Sequence, residues 1–544
     1  MKILLLDIAA KAIHKTLAPW CIKAYCDAHV PDVEIFVQAQ VIHDKAHDIL
    51  AEIYRAQPDV VGISCYIWNI AQVKKISENI KQILPDCLLV LGGPEVSFET
   101  RAEDYPAADY IIQGKGEETF AGLLLSLQAK TPPEKGILPP IDRISFADLP
   151  SPYTTEYFAS FATERMEKIE NQLVYYETTR GCPFSCSYCL SSACTKLEEL
   201  PLARVFAEID QFLAHGATRI KFVDRTFNAD PQRAWEILRH IQQKNTDANF
   251  HFEVAADLFD DALLEVIKAM PKGRVQFEIG IQSLNETTLI AINRPMQANL
   301  VQKNIQTLLS FENCHIHLDL IAGLPFETMD SFAESIRACL ALRPHMLQLG
   351  FLKLLKGTAL RENHDKYAYV FDHHAPYEVF FGKDMSFADM MALKALEETI
   401  DRFYNSGVFT HTVAFASEHV FADVYEFFQK LTDFCTGEQP KIAPKQAYTI
   451  LLSFLSDYME REYLEHLIKL DCFTYHTKAV LPDAIAIHRD KEAEKEYKRN
   501  HPHTKNVRVE YFPYDDKQRI FFYDTRDELT KAYRVEIETL LCYY

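Results

Sequence analysis

The chain has 544 residues, and 57 Lys+Arg against 77 Asp+Glu give a formal net charge of −20. Its length suits about three domains, and 48% hydrophobic with 12% aromatic residues excludes a disordered chain. The acidic excess excludes non-specific nucleic-acid binding, which needs positive charge against phosphate.

No apolar run reaches about 18 residues, so no membrane span is expected. The first apolar run is broken by Asp7, too early for a secretory signal. A cytoplasmic protein is expected.

From residue 1 to about 130, short apolar runs at 3–8, 33–37, 60–65, 88–91 and 110–112 predict strands. Helical patterns at 44–55, 70–83 and 117–127 lie between them. Such alternation implies βαβ units, a parallel sheet and ligands beyond the carboxyl ends of the strands. The order resembles a flavodoxin-like, Rossmann-like domain. At those ends stand Ser64 and Tyr66, then Gly92, Gly93 and Glu95, then Gly114 and Glu117. Glycine there lets backbone approach a ligand closely; ordinary βα turns have the same composition.

Residues 131–172 carry Pro132-Pro133, Pro139-Pro140, Pro150 and Pro152, and read as a non-helical connection. A second α/β series follows over 173–365. Strands are predicted at 173–178, 219–223, 250–255, 275–281, 316–322 and 347–352, with helices such as 202–214, 232–243 and 329–342. Six similar βα units predict a partial (β/α)6 TIM-type barrel with its chemistry at the C-terminal strand ends. Residues 366–544 are dense in aromatics and charges and read as a mostly helical domain, with strands near 507–512 and 519–523. No motif there carries recognisable chemistry.

The thirteen cysteines are odd in number and scattered, which reads as reduced thiols. Cys65, Cys87, Cys314, Cys339, Cys435 and Cys472 sit in or beside apolar stretches, as small core residues do. Cys182, Cys186 and Cys189 instead form C-x3-C-x2-C after a predicted strand. Three thiolates on one loop can hold three irons of a 4Fe-4S cluster and leave the fourth open. The alternative is zinc, with Cys194 as fourth ligand.

The stretch Glu177-Thr178-Thr179-Arg180-Gly181-Cys182-Pro183-Phe184-Ser185-Cys186-Ser187-Tyr188-Cys189 resembles the cluster loop of radical S-adenosylmethionine (radical SAM) enzymes. Four later positions agree with that family's coproporphyrinogen-oxidase-like branch: Glu253, Gln282, Arg294 and Asp319. The resemblance implies that these four line the S-adenosylmethionine pocket. The family's Gly-Gly-Glu-like segment is absent after the second barrel strand. Asp224 stands in that place, as an acceptor for the methionine ammonium.

A flavodoxin-like domain ahead of such a barrel is similar to the cobalamin-binding subfamily, with an uncharacterised C-terminal domain attached. The resemblance then implies that Ser64, Tyr66, Gly92, Gly93, Glu95, Gly114 and Glu117 form a cobalamin cradle in residues 1–130. The motif Asp-x-His-x-x-Gly is absent, so no histidine ligates cobalt through it; the segment Tyr66-Ile67-Trp68-Asn69 is the candidate cover for the lower face.

The implied function is methyl transfer to an unactivated carbon. A 5′-deoxyadenosyl radical would abstract hydrogen, methylcobalamin would supply the methyl group, and flavodoxin or ferredoxin would supply the electron. The substrate is unknown. The alternatives are a radical SAM enzyme without cobalamin and a non-catalytic cobalamin or cluster sensor.

Overall fold

The computed structural model describes residues 1–162, 169–193, 196–435 and 443–538. The first sheet is parallel and comprises β1 (Lys2–Ala9), β2 (Glu34–Val41), β3 (Val60–Ser64), β4 (Leu88–Gly92), β5 (Tyr110–Ile112) and β6 (Gly136–Leu138). Its order is β2-β1-β3-β4-β5-β6. The apolar runs are continuous because both faces are covered by helices. Along β1, Leu4, Leu6 and Ile8 join one buried cluster, with Ile49, Ile53, Val73 and Ile76. Ile3 and Leu5 join the opposite one, with Tyr25, Phe120 and Leu124. Successive side chains point to opposite faces, so one run feeds two cores.

Two features of the connection differ from expectation. Ile137 and Leu138 add the sixth strand, with Ile111↔Ile137 and Ile112↔Leu138 in register. A helix forms at Thr155–Ala159, beginning where the prolines end. The Thr154 hydroxyl caps it by accepting from the Tyr157 amide at 3.2 Å.

The second sheet contains β7 (Val174–Tyr176), followed by the two-residue pair β8 (Thr179–Arg180) and β9 (Glu198–Glu199), which lies outside it. It continues through β10 (Arg219–Phe222), β11 (Asn249–Val254), β12 (Val275–Gln282), β13 (Cys314–Ala322) and β14 (Met346–Phe351). All neighbours are parallel and in sequential order, as a partial barrel requires. The predicted 173–178 strand stops at Tyr176 because Thr178 and Thr179 turn to hydrogen-bond Asp224. Phe250, Phe252 and Val254 of β11 are buried, whereas His251 and Glu253 face the barrel interior with partial exposure.

Sequential order leaves β14 as an edge. The C-terminal region covers it: the Asn405 side chain accepts from the Leu347 amide at 2.9 Å and donates to the Leu347 carbonyl at 2.8 Å. An amide side chain thereby replaces a neighbouring strand. We expect Asn405→Ala to cost about 1–3 kcal/mol by leaving those two groups unpaired. An unaltered denaturant midpoint would show that water satisfies this edge.

The C-terminal region adds a small hairpin, β15 (Val370–Phe371) with β16 (Val379–Phe381), which was not expected. Helices such as Phe387–Ile400 and Pro444–Leu455 follow, and then the antiparallel strands β17 (Val507–Phe512), β18 (Lys517–Arg526) and β19 (Tyr533–Glu538). Its buried Leu393, Phe428 and Leu451 belong to the same core cluster as the barrel residues Phe332 and Ile336. Among the described residues, no helix is long and apolar enough to cross a membrane.

Candidate functional site

Two adjoining cavities lie at the carboxyl ends of the two sheets. The larger, about 490 Å³, separates the first sheet from the barrel mouth. Ser64, Tyr66, Gly92, Gly93, Gly114 and Glu117 line it from one side, and Glu177, Arg180, Val223 and Arg225 from the other. Gly93 has φ +106°, and a Cβ there would stand 2.7 Å from the Cys65 carbonyl oxygen. Only glycine allows that approach. A Cβ on Gly92 would meet only the Ile112 carbonyl, at 3.8 Å, so this wall is open to a ligand.

Tyr66 is held as part of the wall. Its ring stacks on Trp68 with centroids 4.4 Å apart, and its amide donates to the Asn69 side chain at 2.8 Å. Asn69 in turn donates to the carbonyls of Ser64 and Ile8. The aromatic segment thus both packs locally and faces the cavity.

Glu95 corrects the expectation for it. Its carboxylate is absent from the cavity wall and accepts from the Tyr377 hydroxyl at 2.7 Å. The reason is that Gly93 starts a short helix, Pro94–Ser97, which turns Glu95 toward the C-terminal region. Nearby, Arg361 donates to Glu99 at 2.7 Å.

The turn Gly114-Lys115-Gly116-Glu117 grips the ladder beside the cysteine loop. Arg180 and Glu198 oppose each other across β8 and β9. Lys115 reaches Glu198 at 3.2 Å and Asp142 at 2.9 Å. Glu117 accepts from Arg180 at 3.1 Å, and Glu177 holds the same guanidinium at 3.0 and 3.2 Å. Alternating charges therefore tie the first sheet to the strand that enters the cysteine loop.

The second cavity, about 200 Å³, brings together seven residues named from the sequence: Cys182, Cys186, Cys189, Glu253, Gln282, Arg294 and Asp319. The loop is fastened by backbone: the Ser187 amide donates to Ile292, the Leu360 amide to Ser187, and the Cys189 amide to Cys186. Arg294 lies 3.6 Å from the Cys186 sulfur and also donates to the Gly280 carbonyl. Among the described residues, no three His, Cys, Asp or Glu side chains close on the position of a single metal ion. Three cysteines lining one cavity of about 200 Å³ suit a multi-iron cluster better than tetrahedral zinc. Cys194 lies outside the described residues.

Gln282 is held at φ +68°, uncommon for a residue with a side chain, at an irregularity where β12 passes β13. Its Oε1 and the Arg294 Nε are buried without a hydrogen-bond partner. Polar atoms so placed are ones a ligand would satisfy.

Asp224 does not reach either cavity. It is 1% exposed and accepts from the Thr178 and Thr179 amides at 2.6 and 3.0 Å and from the Thr178 hydroxyl. Burial pushes its carboxyl up to about 7 against those hydrogen bonds. Its role is to fix the strand end that leads into the cysteine loop, which corrects the expectation that it accepts from a bound ammonium.

Sequence reasoning missed Glu278, which lines the second cavity, and its partners Lys221 and His251. Lys221 lies 3.1 Å from Glu278 and 3.5 Å from Glu253, and His251 lies 2.9 Å from Glu278. Burial favours the neutral Glu278 carboxyl, but the His251 and Lys221 contacts outweigh it and hold it at about 2. Burial raises Glu253 and Asp319, the latter at ion-pair distance, 3.0 Å, from His317. The signal was present in the strict alternation of Asn249-Phe250-His251-Phe252-Glu253-Val254, which marks a strand with one polar face.

Comparison with known proteins bears on both halves. Residues 3–124 match the B12 binding domain, residues 176–339 the Radical SAM superfamily, and residues 365–536 a protein family of unknown function, DUF4080. The chain is 27% identical over 323 residues to the cobalamin-dependent radical SAM methyltransferase TokK of Streptomyces tokunonensis, covering 54% of this chain and 47% of TokK. It is 26% identical over 313 residues to 2-(S-pantetheinyl)-carbapenam-3-carboxylate methyltransferase of Streptantibioticus cattleyicolor, covering 53% and 46%. The chain thus spans about half the length of these curated relatives.

Among solved structures, the cobalamin-dependent S-adenosylmethionine radical enzyme OxsB superposes with TM-score 0.58 at 14% identity, covering 86% of this chain and 78% of OxsB. The radical S-adenosylmethionine methyltransferase TsrM of Kitasatospora setae gives 0.54 at 17%, covering 67% and 76%. These superpositions establish the shared fold. In order along the chain, the matches are to a B12 binding domain, the Radical SAM superfamily and DUF4080.

Proposed function

We propose that the chain is a cobalamin-dependent radical SAM enzyme that methylates an unactivated carbon. The observation that carries this reading is the pair of adjoining cavities, whose walls share Ser191 and Arg225. One gathers three cysteines with Glu253, Gln282, Arg294 and Asp319; the other is a glycine-lined row of strand ends. The names of TokK and of the carbapenam methyltransferase support the same class. In this reading residues 1–130 hold cobalamin, 131–172 connect, 173–365 form the reacting barrel, and 366–544 close its open edge.

Cys182, Cys186 and Cys189 would hold a 4Fe-4S cluster, and Glu253, Gln282, Arg294 and Asp319 would bind S-adenosylmethionine. When bound, these groups and cobalamin supply an electron, a 5′-deoxyadenosyl radical and a methyl group. The residues of the chain orient and shield. Lys221 keeps Glu253 in place, the buried Gln282 and Arg294 atoms offer hydrogen bonds away from water, and the Lys115–Glu198 and Glu117–Arg180 pairs set one cavity against the other. Flavodoxin or ferredoxin is the class of electron donor this chemistry requires.

Anaerobic reconstitution with reductant should yield 5′-deoxyadenosine from S-adenosylmethionine. No cleavage product would favour a sensor; cleavage without uptake of cobalamin, read in the visible spectrum, would favour a radical SAM enzyme of another kind.

The lower face of cobalt gives a further expectation. His14, the histidine nearest the end of β1, has its Nδ1 2.7 Å from the Tyr175 hydroxyl and is absent from the cavity wall. Electron paramagnetic resonance of the Co(II) form should show no nitrogen splitting, with His14→Ala indistinguishable from wild type. Splitting that disappears in His14→Ala would establish a histidine ligand.

A further inference from the structure

We infer that the substrate is an anion, a carboxylate or a phosphate ester, and that its oxyanion group is held by Arg225 where the two cavities meet. This rests on the proposed function, because it takes the reacting carbon to lie between the methyl donor and the radical source. Such a carbon sits at the boundary of the cavities, and Arg225 and Ser191 line both. Arg225 follows the C-terminal end of β10, the end of a parallel barrel that carries substrate.

The charge pattern singles this arginine out. Among the described residues three other cations line the two cavities, and each has at least one partner, although the Arg294 Nε is left for a ligand. Arg180 is held by Glu117 and Glu177, Lys115 by Glu198 and Asp142, and Arg294 by the Gly280 carbonyl and the Cys186 sulfur. The Arg225 side chain makes no hydrogen bond or ion pair with any described residue. Its positive field works against the burial that raises Glu253, but that carboxylate is already engaged by Lys221. In a chain with 77 acidic residues against 57 basic ones, a cavity-lining guanidinium in no ion pair with a described carboxylate is available to a ligand. Its planar fork matches the two oxygens of a carboxylate or phosphate, and Ser191, which lines both cavities, carries a hydroxyl as a further donor.

The test uses the full chain reconstituted with cluster, S-adenosylmethionine and Co(II) cobalamin. It is titrated separately with 13C-carboxyl-labelled acetate and with inorganic phosphate, reading paramagnetic relaxation of 13C and 31P. Saturable relaxation of one anion is expected in wild type, and which anion responds distinguishes a carboxylate from a phosphate substrate. Arg225→Gln should weaken that binding at least about fivefold, the loss of one charge-assisted contact, with Arg225→Lys intermediate.

The inference is overturned if neither anion relaxes saturably, or if Arg225→Gln binds as wild type does. It is equally overturned if Arg225→Gln weakens S-adenosylmethionine itself, which would give Arg225 to the cosubstrate. Failure to take up cobalamin is seen first in the visible spectrum and counts against the proposed function. The reduced cluster alone then supplies the paramagnet, and the Arg225 comparison is still decided.

Discussion

Cys182→Ala, Cys186→Ala and Cys189→Ala are each expected to lose the iron, the broad visible absorption of a 4Fe-4S cluster and all formation of 5′-deoxyadenosine. Cys194→Ala should keep all three properties. Three thiolates suffice when one iron must stay open to a small ligand, whereas a closed site needs a fourth. The three cysteines share one cavity wall, on a loop tied to Ile292 and Leu360 by backbone hydrogen bonds. Replacing one thiol should therefore remove a ligand without unravelling the loop, which an unchanged circular dichroism spectrum would check. Loss of iron in Cys194→Ala as complete as in the others would make this a four-cysteine site, and the radical reading would fail.

The second large effect is expected on S-adenosylmethionine. Glu253→Ala and Asp319→Ala should each weaken its binding by about 1–3 kcal/mol while the iron content stays unchanged. The carboxylates come from β11 and β13, the two strands that flank β12, and both open on the cavity that holds the cysteines. Each is steadied from below, Glu253 by Lys221 and Asp319 by His317. Removing a carboxylate thus deletes a ligand contact; loss of Asp319 also takes away the partner of the buried His317, whereas Lys221 keeps Glu278. Equilibrium dialysis of the anaerobic protein gives the affinity directly. Unchanged affinity in both variants would mean that the pocket is built from other residues, with the Lys221–Glu278–His251 layer the next candidate.

The strands of both sheets were legible in the sequence because each carries its burial in its pattern. A run such as Lys2–Ala9 is apolar at every buried position but Asp7, so it specifies a strand covered on both faces. The alternating strands of the barrel specify one apolar and one polar face. The cysteine loop was equally legible, since its ligand spacing is local. Two elements of the connection were less so. The strand Gly136–Leu138 has only three residues, and the helix Thr155–Ala159 five, too short for periodicity to mark them against the surrounding prolines.

The sequence by itself determined the two parallel α/β series, the three-thiol loop and the residue types at the strand ends. Those features depend on local period and spacing, which are fixed along the chain. Only the tertiary structure decided where particular side chains point. Asp224 turns back to the Thr178 and Thr179 amides, and Glu95 leaves the cavity for Tyr377, 282 residues away in the chain. Gln282 faces the pocket through a left-handed backbone that a register irregularity imposes. Among the cations lining the two cavities, within the described residues, Arg225 alone is left without an ion pair or side-chain hydrogen bond, while Arg180 and Lys115 find Glu117 and Glu198 on elements remote in sequence. Such pairings arise from how packed elements meet, and no local pattern records them.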